Sequence, residues 1–185
     1  MEKFSKVFIF IFIPLFLVNC GWREQAVSEK PPVDPSKEQL LGANRQLLER
    51  DAELIQKFIQ RRNWQMNQSE SGLFYWVHEK QDGIPAKKGD MISLDYDLYL
   101  LDGTLCYSSK DRGPLTFKIG QGGVEAGLEE AALMLGVGDK ARLILPPFLA
   151  HGLTGDQDRI PSRAVIVYEL EVIFIKRSDV SSRNS

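Results

Sequence analysis

The sequence predicts an α+β domain: a curved antiparallel sheet of five to six strands wrapped around one short helix, with a separate helix ahead of it. Three observations carry this. Ile92, Leu94, Tyr96, Leu98 and Leu100 alternate with polar or exposed partners, the period of a half-buried strand. Ala164, Ile166, Tyr168, Leu170 and Val172 repeat that period over residues 164–175. Between them, Leu128, Ala131, Ala132 and Leu135 fall at i, i+3, i+4 and i+7, the apolar face of a short helix, with Glu125, Glu129 and Glu130 in its first turns.

Taken in order, residues 73–78 are rich in aromatic and branched side chains and form a strand, followed by a turn at 81–85. After the long strand at 92–100, Asp102-Gly103 signals a hairpin that returns through 104–108, and 115–119 is a further short strand. The helix follows. Gly136 is placed to stop it in the left-handed conformation, and 137–139 turns into a strand at 140–145 closed by Pro146 and Pro147. The strand at 164–175 completes the sheet. One short helix cannot cover a whole sheet, so the space beside its leading end is expected to stay open as an apolar pocket.

At 185 residues, with 43% apolar content, the chain suits one domain plus appendages. A net charge of -2 and no basic run longer than Arg61-Arg62 leave no electrostatic footprint for nucleic acid. Lys3 and Lys6 precede an apolar run at 7–18, the charged and apolar regions of an export signal over residues 1–19. The run ends Leu17-Val18-Asn19-Cys20-Gly21, which resembles the lipobox of bacterial lipoproteins and marks Cys20 as the lipidated residue, anchored to a membrane through acyl chains. With Cys20 acylated, Cys106 has no partner, and no disulfide is expected.

Residues 20–35 are polar and proline-bearing, a tether. Asp34, Pro35 and the Ser36-x-x-Gln39 box open a helix in the segment 36–66, reaching about Arg62. Leu40, Leu47 and Leu54, with Leu41, Leu48 and Ile55, recur every seven residues, and Phe58 and Ile59 extend the stripe. It either packs on the following domain or forms a homodimer arm through residues 36–62. Residues 177–185 are a polar tail.

The domain at 72–176 resembles the FKBP-type peptidyl-prolyl isomerases. The resemblance is carried by Lys88-Gly89-Asp90, Asp102-Gly103-Thr104, Ser108-Ser109, Val124 with Gly127-Leu128-Glu129-Glu130, Val137-Gly138-Asp139-Lys140-Ala141, Pro146-Pro147, His151-Gly152 and Ile160-Pro161. With the lipobox, the helical arm and the segment 155–161, the whole chain resembles the gliding-motility-associated FKBP-type lipoproteins of bacteria. The resemblance implies rotation about X-Pro amides of exported envelope proteins, with apolar residues before the proline and no cofactor or metal. It implies a pocket of Tyr96, Tyr168 and Glu125 as catalytic positions, Glu125 acting through its backbone N–H. Cys106, Tyr107, Leu115, Phe117, Val124, Leu128, His151 and Ile160 complete it as substrate-binding positions, with Leu128 as the floor.

Against the family pattern, Cys106-Tyr107 replaces a Phe-Asp pair, which removes an aromatic wall and an acidic group. His151 stands for a Tyr, keeping a donor. These departures imply altered turnover, or a binding module with an FKBP-like shape. His78 has no ligand spacing with His151, and no basic neighbour in sequence activates Cys106, so neither a metal site nor a thiol nucleophile is expected.

Overall fold

The computed structural model describes residues 35–178, and side chains from residue 37; the export signal, Cys20, the tether and most of the polar tail lie outside the described residues. Helix α1 (Pro35–Arg62) precedes β1 (Asn67–Gln68), β2 (Phe74–Glu79), β3 (Met91–Leu100), β4 (Leu105–Ser108), α2 (Ser109–Arg112), β5 (Leu115–Lys118), α3 (Ala126–Ala132), β6 (Lys140–Leu145) and β7 (Ile166–Lys176). The strands form one antiparallel sheet in the order β1-β2-β6-β7-β3-β4, with β5 also paired to β3. Five to six strands are expected and the sheet has seven among the described residues, the two-residue β1 being the addition.

β4 and β5 pair with different stretches of β3, Asp97–Tyr99 and Met91–Leu94, so one edge of β3 is shared by two short strands. Between them the chain leaves the sheet through α2, capped by the Ser108 side chain accepting from Lys110 N–H. This break holds Tyr107, Arg112 and Leu115 at the rim of the concave face. A register shift at Ser93/Leu94 in the β3–β7 pairing bends the sheet there.

Leu128, Ala131, Ala132 and Leu135 are all buried against the concave face with Leu94, Leu98, Leu143, Ile166 and Val172. Gly127 permits this approach, since a Cβ there would lie 2.7 Å from Leu145 Cγ on β6. The role assigned to Gly136 needs correction. α3 ends at Ala132, four residues earlier, and Gly136 does not have positive φ, whereas Gly138 does, at 84°. Gly136 is instead a close-approach position: a Cβ would stand 2.4 Å from the Gly83 carbonyl oxygen. Its N–H donates to Asp139 Oδ2 at 2.7 Å, which closes the turn.

The convex face is covered by the C-terminal half of α1. Ile55 and Phe58 pack on Phe74, Ile144, Val165 and Val167, and Phe58 meets Trp64 edge-on at 5.4 Å. The stripe therefore divides: Ile55 and Phe58 are buried on the domain, while Leu40, Leu41, Leu48 and Leu54 are exposed. Asp51, a charged residue on this helix, is buried and pairs with Arg163 at 2.8 Å, tying the helix to the loop before β7. At the other end of β7, Arg177 and Ser178 belong to the fold rather than to a tail. Arg177 Nη1 lies 2.8 Å from Asp90 Oδ2, and the Ser178 N–H donates to Asp90 Oδ1 at 2.8 Å. The Ser178 amide, helped by Lys87 N–H and the Arg177 guanidinium, outweighs burial and holds the Asp90 carboxyl down to about 2.

Candidate active site

A cavity of about 510 Å³ opens between the concave face, the leading end of α3 and the loop after β6. β3 and β7 supply two of its walls. Leu98 is paired with Tyr168 and Tyr96 with Leu170, so the two tyrosines are diagonal neighbours on one face. Their rings are 5.9 Å apart and tilted by 54°. The gap between β4 and β5 supplies Tyr107, Arg112 and Leu115, and the approach to α3 supplies Val124 and Glu125. Ala150, His151 and Asp156 line it from the loop after β6.

Glu125 is the residue that departs furthest from expectation. Its backbone precedes α3 in an extended conformation, and its carbonyl accepts from Leu128 and Glu129 N–H at 3.0 Å each. Its own N–H donates to no group among the described residues, which leaves the donor that the backbone role requires. The side chain is not a bystander, however. The Tyr168 hydroxyl donates to Glu125 Oε1 at 2.9 Å, and His151 Nε2 lies 2.9 Å from the same oxygen. Burial first, and then the facing carboxylate, push the Tyr168 hydroxyl well above its ordinary value, so it remains a donor.

The second polar knot restores part of what the Cys106-Tyr107 substitution removes. Tyr107 is itself a wall of the cavity, and its hydroxyl donates to the Asp156 carboxylate. Asp156 also accepts from Asp158 N–H at 3.0 Å and Ile160 N–H at 2.7 Å. Burial opposes its charge, but these three donors prevail and hold Asp156 down to about 2. Burial and the same carboxylate raise Tyr107 to about 12. Arg112 lies over the Tyr107 ring at 3.8 Å and reaches Asp158 at 3.4 Å. The acidic group expected to be missing is thus supplied by a neighbouring loop.

Of the positions named from the sequence, Tyr96, Tyr107, Leu115, Val124, Glu125, His151 and Tyr168 line the cavity. Cys106, Phe117, Leu128 and Ile160 do not; they are buried in the core behind it, so Leu128 supports the cavity without forming its surface. Burial raises the Cys106 thiol, and its sulfur faces the Arg159 carbonyl at 3.6 Å, as an inert wall residue does. Arg112, Asp156 and Ala150 were not foreseen. Asp156 sits in a Gly155-Asp156-Gln157-Asp158 run whose composition signals only a turn, and the pairing with Tyr107 spans 49 residues. The cavity is consequently more polar than the apolar hollow expected.

A bent antiparallel sheet that leaves an aromatic-walled hollow beside one short helix defines a class of α+β domain with a pocket on its concave face, and similarity to known proteins supplies the family. Residues 83–173 match the family FKBP-type peptidyl-prolyl cis-trans isomerase. FK506-binding protein 2 of Dictyostelium discoideum is 40% identical over 93 residues, covering 50% of this chain and 70% of that protein. The FKBP-type peptidyl-prolyl cis-trans isomerase FkpA of Aeromonas hydrophila is 36% identical over 118 residues, 63% of this chain but only 43% of the relative. Among solved structures, FkpA from Escherichia coli matches with a TM-score of 0.58 and 28% identity over 80% of this chain and 75% of that one. AtFKBP13 matches with a TM-score of 0.56 and 33% identity over 61% of this chain and 99% of its own. This chain belongs to the FKBP-type peptidyl-prolyl cis-trans isomerase family, and relatives such as FkpA are named as peptidyl-prolyl cis-trans isomerases.

Proposed function

We propose that this protein is a lipid-anchored peptidyl-prolyl isomerase that assists the folding of exported proteins in the bacterial cell envelope. The reaction is rotation about an X-Pro amide, whose barrier of about 18–20 kcal/mol arises from resonance between nitrogen and carbonyl. Uncatalysed exchange takes tens to hundreds of seconds, slow enough to limit folding. A site that favours the twisted amide over the planar one lowers this barrier without forming a covalent bond. The prolyl ring has a place against Tyr96 and Tyr168, and the free Glu125 N–H is placed to hold a substrate carbonyl at the cavity wall. Val124 and Leu115 reduce the water available to the amide.

The single observation that carries this reading is the open cavity with the unengaged Glu125 amide. The envelope location is supported by the export signal and by Cys20 in a lipobox-like setting. The exposed Leu40, Leu41 and Leu48 support a homodimer formed through the first half of α1, and the resemblance to gliding-motility lipoproteins makes a motility complex the partner to test. The rival reading is an FKBP-shaped binding or chaperone subunit without useful turnover, favoured by the charged groups in the cavity.

The test is a protease-free isomerisation assay by exchange NMR on proline tetrapeptides. Catalysis above background that falls in Tyr96→Ala supports the enzyme; rates equal to background at high protein leave only the binding module. Labelling with a radioactive fatty acid, abolished by Cys20→Ser, tests the anchor.

A further inference from the structure

A purely apolar cavity would select a prolyl segment by shape, whereas this one presents a carboxylate with capacity to spare. Glu125 Oε1 is taken up by the Tyr168 hydroxyl and His151 Nε2. Oε2 has no partner among the described residues. It is not sealed away either, because every fully buried side-chain oxygen or nitrogen among the described residues has a hydrogen-bond partner. Glu125 lines the cavity while its side chain is only 9% exposed, so its carboxylate is largely withdrawn from bulk water at the cavity wall.

The other charges nearby are matched. Asp156 is held by Tyr107 and by two backbone N–H groups. Asp158 and Arg112 face each other, and Arg112 is also stacked on Tyr107. Arg159 Nη1 donates to the Cys106 carbonyl at 2.9 Å. Glu125 is left with an unused acceptor beside Val124, where a bound peptide would displace water. An apolar side chain brought there strips Oε2 of its water and returns nothing, and an acidic one adds repulsion. A cation supplies both charge and donors, at a site where screening is weaker than in bulk water.

We infer that Glu125 makes this pocket selective for prolyl bonds flanked by a basic residue, Lys or Arg, rather than by the apolar residues that the family resemblance implies. The inference rests on the isomerase reading, and the experiment separates the two. Exchange NMR on tetrapeptides that differ only in the residue before or after proline, Lys, Arg, Leu or Glu, gives kcat/KM for each. The basic peptides are expected to exceed the leucine peptides by about tenfold, with glutamate slowest, and Glu125→Gln brings the Lys-to-Leu ratio to within about twofold of unity. The preference of the unaltered protein also falls as salt is raised, which serves as the readout if Glu125→Gln does not fold. A wild-type preference for leucine overturns the inference and leaves the isomerase intact, as does a Lys-to-Leu ratio unchanged in folded Glu125→Gln or insensitive to salt. Acceleration of none of the peptides refutes the isomerase reading, and this inference falls with it.

Discussion

Val167 and Tyr168 are consecutive residues of β7, each 2% exposed, and their side chains serve opposite ends. Val167 points to the convex face, where 28-residue α1 lies across the sheet and seats Ile55 and Phe58 on it. Tyr168 points to the concave face, where α3, of seven residues, lies. Equal burial conceals a difference in cover. A long amphipathic helix turns an apolar sheet face into core, while a short one leaves its far end open, and the side chains there must be satisfied by one another or by a ligand. The Tyr168–Glu125–His151 knot is what such a half-covered face contains.

The convex face carries the larger stability effect. Phe58→Ala removes the ring packed against Val167 and Trp64 and is expected to cost about 3–5 kcal/mol, read as a lower denaturant midpoint. Turnover per folded molecule should be unchanged, because Phe58 is on the other side of the sheet from the cavity. A large fall in turnover would mean that the two faces are not independent.

Acid acts on both ends of the domain at once. Asp90, under the β3 entry, and Asp156, at the cavity, both fall to about 2 in the folded chain from an ordinary 3.8. Folded values below unfolded ones give a stabilisation that is complete above about pH 4 and is lost as pH falls toward 2. Urea midpoints measured across this window should drop steeply for the wild type. Asp90→Asn should be less stable at pH 7 and show a flatter acid limb, since it no longer has that proton to take up.

Asp51→Ala tests the ion pair that ties α1 to the loop before β7. It leaves Arg163 without its carboxylate while the Arg163 N–H still holds the Gly152 carbonyl at 3.1 Å, next to His151. The pair is partly exposed, so a stability loss of about 1–2 kcal/mol is expected. A change in the His151 ring resonances in the same variant would show that α1 reaches the cavity through this loop.

How much of this was legible depends on the range over which each interaction acts. The strand periods at 92–100 and 164–175 and the α3 face are local patterns, and the sheet and its helix follow from them. Tyr96 and Tyr168 were placed by resemblance, and the cavity does contain both. Gly136 is not a helix stop, yet a left-handed helix stop and a close backbone approach leave the same letter in a sequence; the Gly83 carbonyl 2.4 Å from where its Cβ would stand tells them apart. The polar half of the cavity was hidden for a related reason. Asp156 pairs with Tyr107 and Glu125 with Tyr168 across 49 and 43 residues, and no periodicity encodes contacts of that length.

The finest test is confined to the inner face. Tyr107→Phe keeps the aromatic wall and deletes the hydroxyl that Asp156 and Asp158 share, the latter at 3.1 Å. One donor of three is removed from Asp156, with the two backbone N–H groups left in place, so a cost of about 1 kcal/mol is expected rather than collapse of the loop. The Asp156 carboxyl should titrate higher than about 2, visible in carbon-detected NMR as a shifted side-chain midpoint. The Tyr168–Glu125–His151 contacts share no atom with this knot, so an Asp156 midpoint that moves while the His151 resonances stay fixed would show that the cavity holds two separate polar units. If both move together, the inner face behaves as one network, and truncation at either knot would then alter turnover by a similar factor.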